Sequence, residues 1–158
     1  MLEEQVMKLV GKTGDGIVME VEKGAIKRYA DAIGDYNPLY WDEEYARESG
    51  FDAIVAPPGF FGWPVSWDGP MPILVPLMAE MMDTIIKAGY GSILDGGIDY
   101  EFLRPVRAGD VLTAISRIAS ITEREGKSGK MLFSIVETTY VNQDNELVAK
   151  MRQTLISR

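Results

Sequence analysis

The 158-residue chain contains no histidine. That absence removes every Ser-His-Asp or Cys-His nucleophile from the chain taken alone, and every His-ligated zinc site. Acid–base work near neutral pH falls to carboxylates, lysines or tyrosines, and the carboxylates have the ordinary pKa values nearest to usable. Cysteine is absent as well, which excludes disulfides and thiolate metal sites and fits a cytoplasmic location. No run of about 18 apolar residues occurs, so no membrane-spanning helix is expected. The opening Met-Leu-Glu-Glu-Gln lacks the basic region of a signal peptide. Positive charge is scarce: 16 Lys and Arg face 24 Asp and Glu, a net charge of -8. Nucleic acid is therefore not an expected partner, because phosphate binding needs a basic surface.

What is present suits a packed core. Hydrophobic residues make up 46% of the chain, and the length fits one domain spanning residues 1–158. Leu2, Val6, Leu9 and Val10 recur at helical spacing up to Gly11. Residues 15–21 alternate weakly, as a first strand does. From about Glu22 to Ile33 a helix is predicted, with Ile26, Tyr29, Ala30 and Ile33 on its buried stripe. Asp42 heads a short acidic helix closed by Ser49-Gly50. The prolines between Trp63 and Pro76 predict an ordered loop, and Leu77 to Ala88 a helix striped with Met78, Met81, Met82 and Ile85. Those methionines belong to the core or line an apolar tunnel. From Gly91 onward the chain turns to strands: Ile98, Tyr100 and Phe102 alternate with Asp99 and Glu101, then come Val111–Ile121, Met131–Val141 and Leu147–Ile156. A loop over residues 123–129 and a turn over residues 142–145 join the last three. Helices first and strands after predict an α+β fold, with an antiparallel meander curled around one helix.

One stretch concentrates polar groups at a helix end. Gly34 sits where a helix stop is expected, and Asp35, Asn37 and Pro38 follow at once. Proline pushes the residue before it out of the α region. A carboxylate and an amide are thus fixed on a stiff turn next to a buried helix, an arrangement suited to the mouth of a pocket.

The segment Gly34-Asp35-Tyr36-Asn37-Pro38-Leu39 resembles the signature of the MaoC-like dehydratases, the hotdog-fold (R)-specific enoyl-CoA hydratases. That family's motif continues with a histidine, which forms the catalytic pair with the Asp. Tyr40 occupies that place here. The resemblance extends to Ile54-Val-Ala-Pro-Pro58, to residues 94–110 and to the last two strands. It is closest to the FAS1-like, or MaoC N-terminal, dehydratase domains, some of which lack the histidine and work beside a partner hotdog that has it.

The resemblance implies a hotdog fold and chemistry on an acyl thioester, carried by coenzyme A or an acyl carrier protein, with no separate cofactor and no metal. Asp35, Asn37 and Tyr40 then stand as catalytic candidates. Pro57, Pro58, Gly59 and Phe60 lie where the family's central helix begins and offers backbone N–H groups to the thioester oxygen. Arg104, with Arg107, Lys130 and Arg152, is a candidate for coenzyme A phosphates, which demand Arg or Lys. Tyrosine is a poor base near neutral pH, with an ordinary pKa of about 10. The expected role is a hydro-lyase subunit whose histidine comes from a partner hotdog. The alternatives are a homodimeric hydratase using Asp35 with Tyr40, and a non-catalytic acyl-CoA binding or regulatory protein. Either a homodimer or a heterodimer fits, because a curled sheet leaves edges to be covered.

Overall fold

The structure is a computed structural model, and it describes residues 4–64, 76–126 and 129–158. Six strands form one antiparallel sheet: β1 (Ile17–Glu20), β2 (Trp63–Pro64), β3 (Ile93–Phe102), β4 (Val111–Gly126), β5 (Gly129–Val141) and β6 (Leu147–Ser157), in the order β2-β1-β4-β5-β6-β3. Helices α1 (Glu4–Met7), α2 (Lys23–Ile33), α3 (Glu43–Glu48) and α4 (Pro76–Lys87) complete the described elements. The predicted α+β hotdog architecture is present. Among the described residues no helix is long and apolar enough to cross a membrane.

Helix α4 supplies the sheet's central packing. Leu77, Met81 and Ile85 lie one helical turn apart and are buried against Ile118 and Ile121 of β4, Leu132 and Val136 of β5 and Leu155 of β6. Met78 and Met82 flank that stripe, so the methionines are core. Burying one such side chain contributes about 1.5–3 kcal/mol. Val6 and Leu9 join the same cluster, but α1 is a single turn and Val10 stands 36% exposed. A second cluster joins Ala25, Ile26 and Ala30 of α2 to residues 54–56, Phe60, Phe61, Leu112 and Tyr140. Ile33, predicted for the buried stripe, is 52% exposed, because the last turn of α2 runs past this cluster.

The strand order departs from a full meander. Strands β4, β5 and β6 pair in succession, but β3 pairs with β6 and not with β4, and it forms the edge opposite β2. The connection over residues 103–110 is held on the segment before β2, with Ala56 N–H donating to Val106 C=O and Ala108 N–H to Ile54 C=O. It therefore crosses the end of the sheet instead of folding β4 back on β3. The predicted loop over residues 123–129 is shorter than expected, since β4 runs on to Gly126 and β5 starts at Gly129. Arg124 over the Phe133 ring and the Lys130–Glu123 ion pair link the two strands there. Of the predicted proline-rich loop, Trp63 and Pro64 form β2 and Pro76 opens α4; residues 65–75 lie outside the described residues.

Candidate functional site

The turn after α2 is built by its own side chains. Gly34 caps the helix in the left-handed conformation (φ 70°), a conformation glycine adopts without strain. Asp35 N–H then donates to Ala30 C=O at 2.9 Å. The Asp35 carboxylate accepts from Asn37 N–H at 3.1 Å, and the Asn37 amide oxygen accepts from Leu39 N–H at 3.1 Å. These are two successive Asx turns. Trp41 Nε1–H donates to Asp35 C=O at 3.2 Å, which pins the turn from outside. Asn37 therefore orients the backbone. Asp35 is half-buried, and its charge reaches the next residue of interest.

Tyr40 closes a 3-10 turn over Pro38–Tyr40 and is only 8% exposed. Its hydroxyl has no hydrogen-bond partner among the described residues. Burial, and then the negative charge of Asp35, push its phenol above the ordinary tyrosine value. Tyr40 is thus a hydrogen-bond donor throughout the neutral range and not a base.

The Tyr40 ring borders a crevice of about 340 Å³, walled by residues 39–40, 55–61 and 102–106. Tyr40, Pro57, Pro58, Gly59, Phe60 and Arg104 from the sequence reading all meet here. Asp35 and Asn37 do not line the crevice; Asp35 acts on Tyr40 through its charge. The segment over residues 57–60 is a tight turn and not the first turn of a helix, since Phe60 N–H donates to Pro57 C=O at 3.0 Å and Gly59 has φ 92°. Prolines 57 and 58 have no N–H. Gly59 N–H is left as the amide of this turn with no acceptor among the described residues. Among the described residues no Asp or Glu lines the crevice, and its polar groups include three donors: the Tyr40 hydroxyl, the Gly59 amide and the Arg104 guanidinium.

The basic candidates separate. Arg104 stands at the crevice and pairs with Glu146 at 3.2 Å. Arg107 pairs with Asp52, Lys130 with Glu123 and Arg152 with Glu137, and none of the three lines the crevice. A larger groove of about 600 Å³ runs beside Lys23, Glu43 and Arg47. Its two cationic side chains, Lys23 and Arg47, both pair with Glu43. It contains none of the predicted residues.

Sequence reasoning missed Phe61 and Phe102 as crevice walls. The doubled aromatic at residues 60–61 and the alternation of β3 carried the signal, but only the fold brings the two segments together.

The hotdog sheet thus holds this crevice between the turn over residues 57–60 and the end of β3. Residues 8–151 match the family model described as FAS1-like, dehydratase domain region, and the chain belongs to that family. A UPF0336 protein of Thermobifida fusca is 31% identical over 123 residues, covering 76% of this chain and 74% of that one. A protein of Thermomonospora curvata named "Probable enoyl-CoA hydratase alpha subunit" is 32% identical over 143 residues. That match covers 83% of this chain and 43% of the relative, so the chain spans less than half of that protein. Among solved structures, the Mycobacterium tuberculosis HadBC complex, a 3R-hydroxyacyl-ACP dehydratase, matches with a TM-score of 0.67 and 27% identity, covering 94% of this chain and 96% of that one.

Proposed function

We propose that this chain is the binding subunit of an enoyl-thioester hydratase or 3-hydroxyacyl-thioester dehydratase. It holds the acyl thioester of coenzyme A or of an acyl carrier protein, and a second hotdog chain brings the Asp/His pair. One observation carries the reading: the buried Tyr40 stands where the family signature has histidine, facing a crevice with donors and no base.

Hydration of the enoyl group places hydroxide on C3 and a proton on C2. A base must take a proton from water, and charge builds on the thioester oxygen in the transition state. The Gly59 N–H and Tyr40 O–H are the groups of this chain fitted to that oxygen. Among the described residues that wall the crevice, no side chain is suited to take the proton from water at neutral pH. Arg104, exposed at the crevice, is the candidate for a coenzyme phosphate, and burial, with the Asp35 charge second, keeps the proton on Tyr40. The open edge of the sheet supports a partner chain: Ile98, Tyr100 and Phe102 of β3 are 39–50% exposed on an edge strand, a surface that other chains pair with readily.

Crotonyl-CoA hydration by the purified chain, alone and mixed with a hotdog chain bearing the complete Asp-x-Asn-Pro-x-His motif, tests the proposal. Tight thioester binding without turnover, and turnover only in the mixture, is the expected result. Turnover by the chain alone that vanishes in Asp35→Asn overturns it in favour of a self-sufficient homodimer using Asp35 and Tyr40. Binding without turnover in any mixture favours a purely binding or regulatory role.

A further inference from the structure

Strand β3 ends the sheet opposite β2, and every residue from Leu94 to Phe102 is exposed. Its two faces differ. Ile98, Tyr100 and Phe102 stand opposite Gln153, Met151 and Ala149 of β6 on one face. Asp99 and Glu101 stand opposite Arg152 and Lys150 on the other. On the charged face the register lines side chains up in rows across the sheet. One row runs Arg117, Glu137, Arg152, Asp99. Its ion pairs are 3.0 Å from Arg117 to Glu137 and 3.8 Å from Arg152 to Glu137, and Asp99 has no ion-pair partner among the described residues. The next row ends in Lys150 and Glu101, 3.2 Å apart. Both rows alternate in sign and stop on a carboxylate at the open rim. Beside the rim lies a groove of about 360 Å³, bordered by Asp99, Glu101, Glu137, Lys150 and Arg152.

These rows decide what the rim can pair with. A second copy of this chain, added through a two-fold axis, lays β3 antiparallel to β3 with charged face beside charged face. Centred on Asp99, Tyr100 or Glu101, that pairing sets carboxylate directly opposite carboxylate. Centred on Ile98 or Phe102, it sets them on the diagonal. Like charges opposite one another across a strand pair are destabilising. The apolar face favours any apolar strand, so the charged face makes the choice between partners. The sign that continues both rows is positive. We infer that β3 pairs with a different chain, whose edge strand presents two Lys or Arg side chains two residues apart opposite Asp99 and Glu101, and that it rejects a copy of itself there. The inference rests on the two-chain reading above and adds the chemistry by which the second chain is recognised.

A basic copy of the chain, Asp99→Lys with Glu101→Lys, serves as the probe. Sedimentation equilibrium at about 50 mM salt, where charges on facing strands are little screened, compares the wild type, this variant and their equimolar mixture. An opposed like pair costs a factor of roughly 1.5 to 5 in affinity and an opposite pair gains as much. The mixture is therefore expected to associate roughly tenfold or more tightly than either protein alone, with the difference shrinking at about 0.5 M salt. Asp99→Asn with Glu101→Gln removes the repulsion and keeps the side-chain sizes. It is expected to self-associate roughly fivefold more tightly than the wild type, and it decides the matter if the Lys variant fails to fold beside Lys150 and Arg152. Wild type that self-associates as tightly as the mixture or the neutral variant overturns the inference, and so does a lack of association in every sample. Turnover in the mixture with a histidine-bearing hotdog chain is read separately: its absence overturns the two-chain reading even where the charge selection holds.

Discussion

Replacing Tyr40 with phenylalanine removes one oxygen and nothing else, and the structure sets what that oxygen does. The ring is 8% exposed and belongs to the cluster around Ile26, Ile54 and Leu112, so its packing survives the change. The hydroxyl has no partner within the described protein. Among the described residues the Tyr40 oxygen is not one of the buried unpaired side-chain atoms, so it is accessible to solvent and contributes little to stability in either direction. Tyr40→Phe should therefore change the unfolding free energy by no more than about 1 kcal/mol. Truncation to alanine, which deletes the ring as well, should cost about 3–5 kcal/mol. Thioester affinity, by contrast, should fall. One neutral hydrogen bond to the thioester oxygen is worth about 0.5–1.5 kcal/mol, so the phenylalanine variant should bind roughly two- to tenfold more weakly. Urea denaturation and calorimetric titration with crotonyl-CoA on the same samples measure both quantities. A loss of stability above about 1 kcal/mol in Tyr40→Phe would mean that the hydroxyl has a structural partner. Unchanged affinity would mean that it does not face the ligand. Either result breaks the argument that assigns Tyr40 to the bound carbonyl.

Other consequences follow from the packing. Met81 is fully buried at the centre of the α4 stripe, and Met81→Ala should lower the unfolding free energy by about 2–5 kcal/mol in urea melts. Gly62 has φ 90°, and a methyl group there would overlap the Glu20 carbonyl. Gly62→Ala should cost at least about 2 kcal/mol and loosen the β1–β2 edge, measurable by thermal melting. The phenols of Tyr40 and Tyr140 are both pushed above the ordinary value of 10.0, chiefly by burial. The folded chain therefore keeps these protons where the unfolded chain releases them. Their contribution to stability is complete below about pH 10 and is lost as the pH rises through the raised folded values. Alkaline melting curves should fall above that pH, and Tyr40→Phe should remove part of the fall.

Short-range chemistry was legible in the sequence. Gly34 ends α2, Asp42 caps α3 through Glu44 and Tyr45 N–H, and Asn37 turns the chain as Asn-Pro predicts. These outcomes depend on a few neighbouring residues, and turn and cap preferences are local. What depends on distant neighbours was not legible. Ile33 obeys the helical spacing, but the cluster that should cover it ends one turn earlier. The predicted meander puts β4 beside β3, yet Ile54 and Ala56 hold residues 106–108 and the chain passes to the other side of the sheet. The crevice is the sharpest case. It needs residues 55–61 and 102–106 side by side, and only that connection brings them together.

The same connection explains why loss of the histidine is compatible with a well-formed site. Position 40 is a wall residue before it is anything else: it closes a 3-10 turn and packs in the cluster with Ile54 and Val55. Any side chain there must fill an aromatic-sized volume, and tyrosine does so. Asp35 and Asn37, by contrast, hold the turn through hydrogen bonds to Asn37 and Leu39 N–H that are independent of the chemistry at position 40. The architecture of the pocket can therefore persist while its base is exchanged for a donor. On the proposed reading, the turn, the wall and the donor serve binding, and proton abstraction falls to a second, histidine-bearing chain.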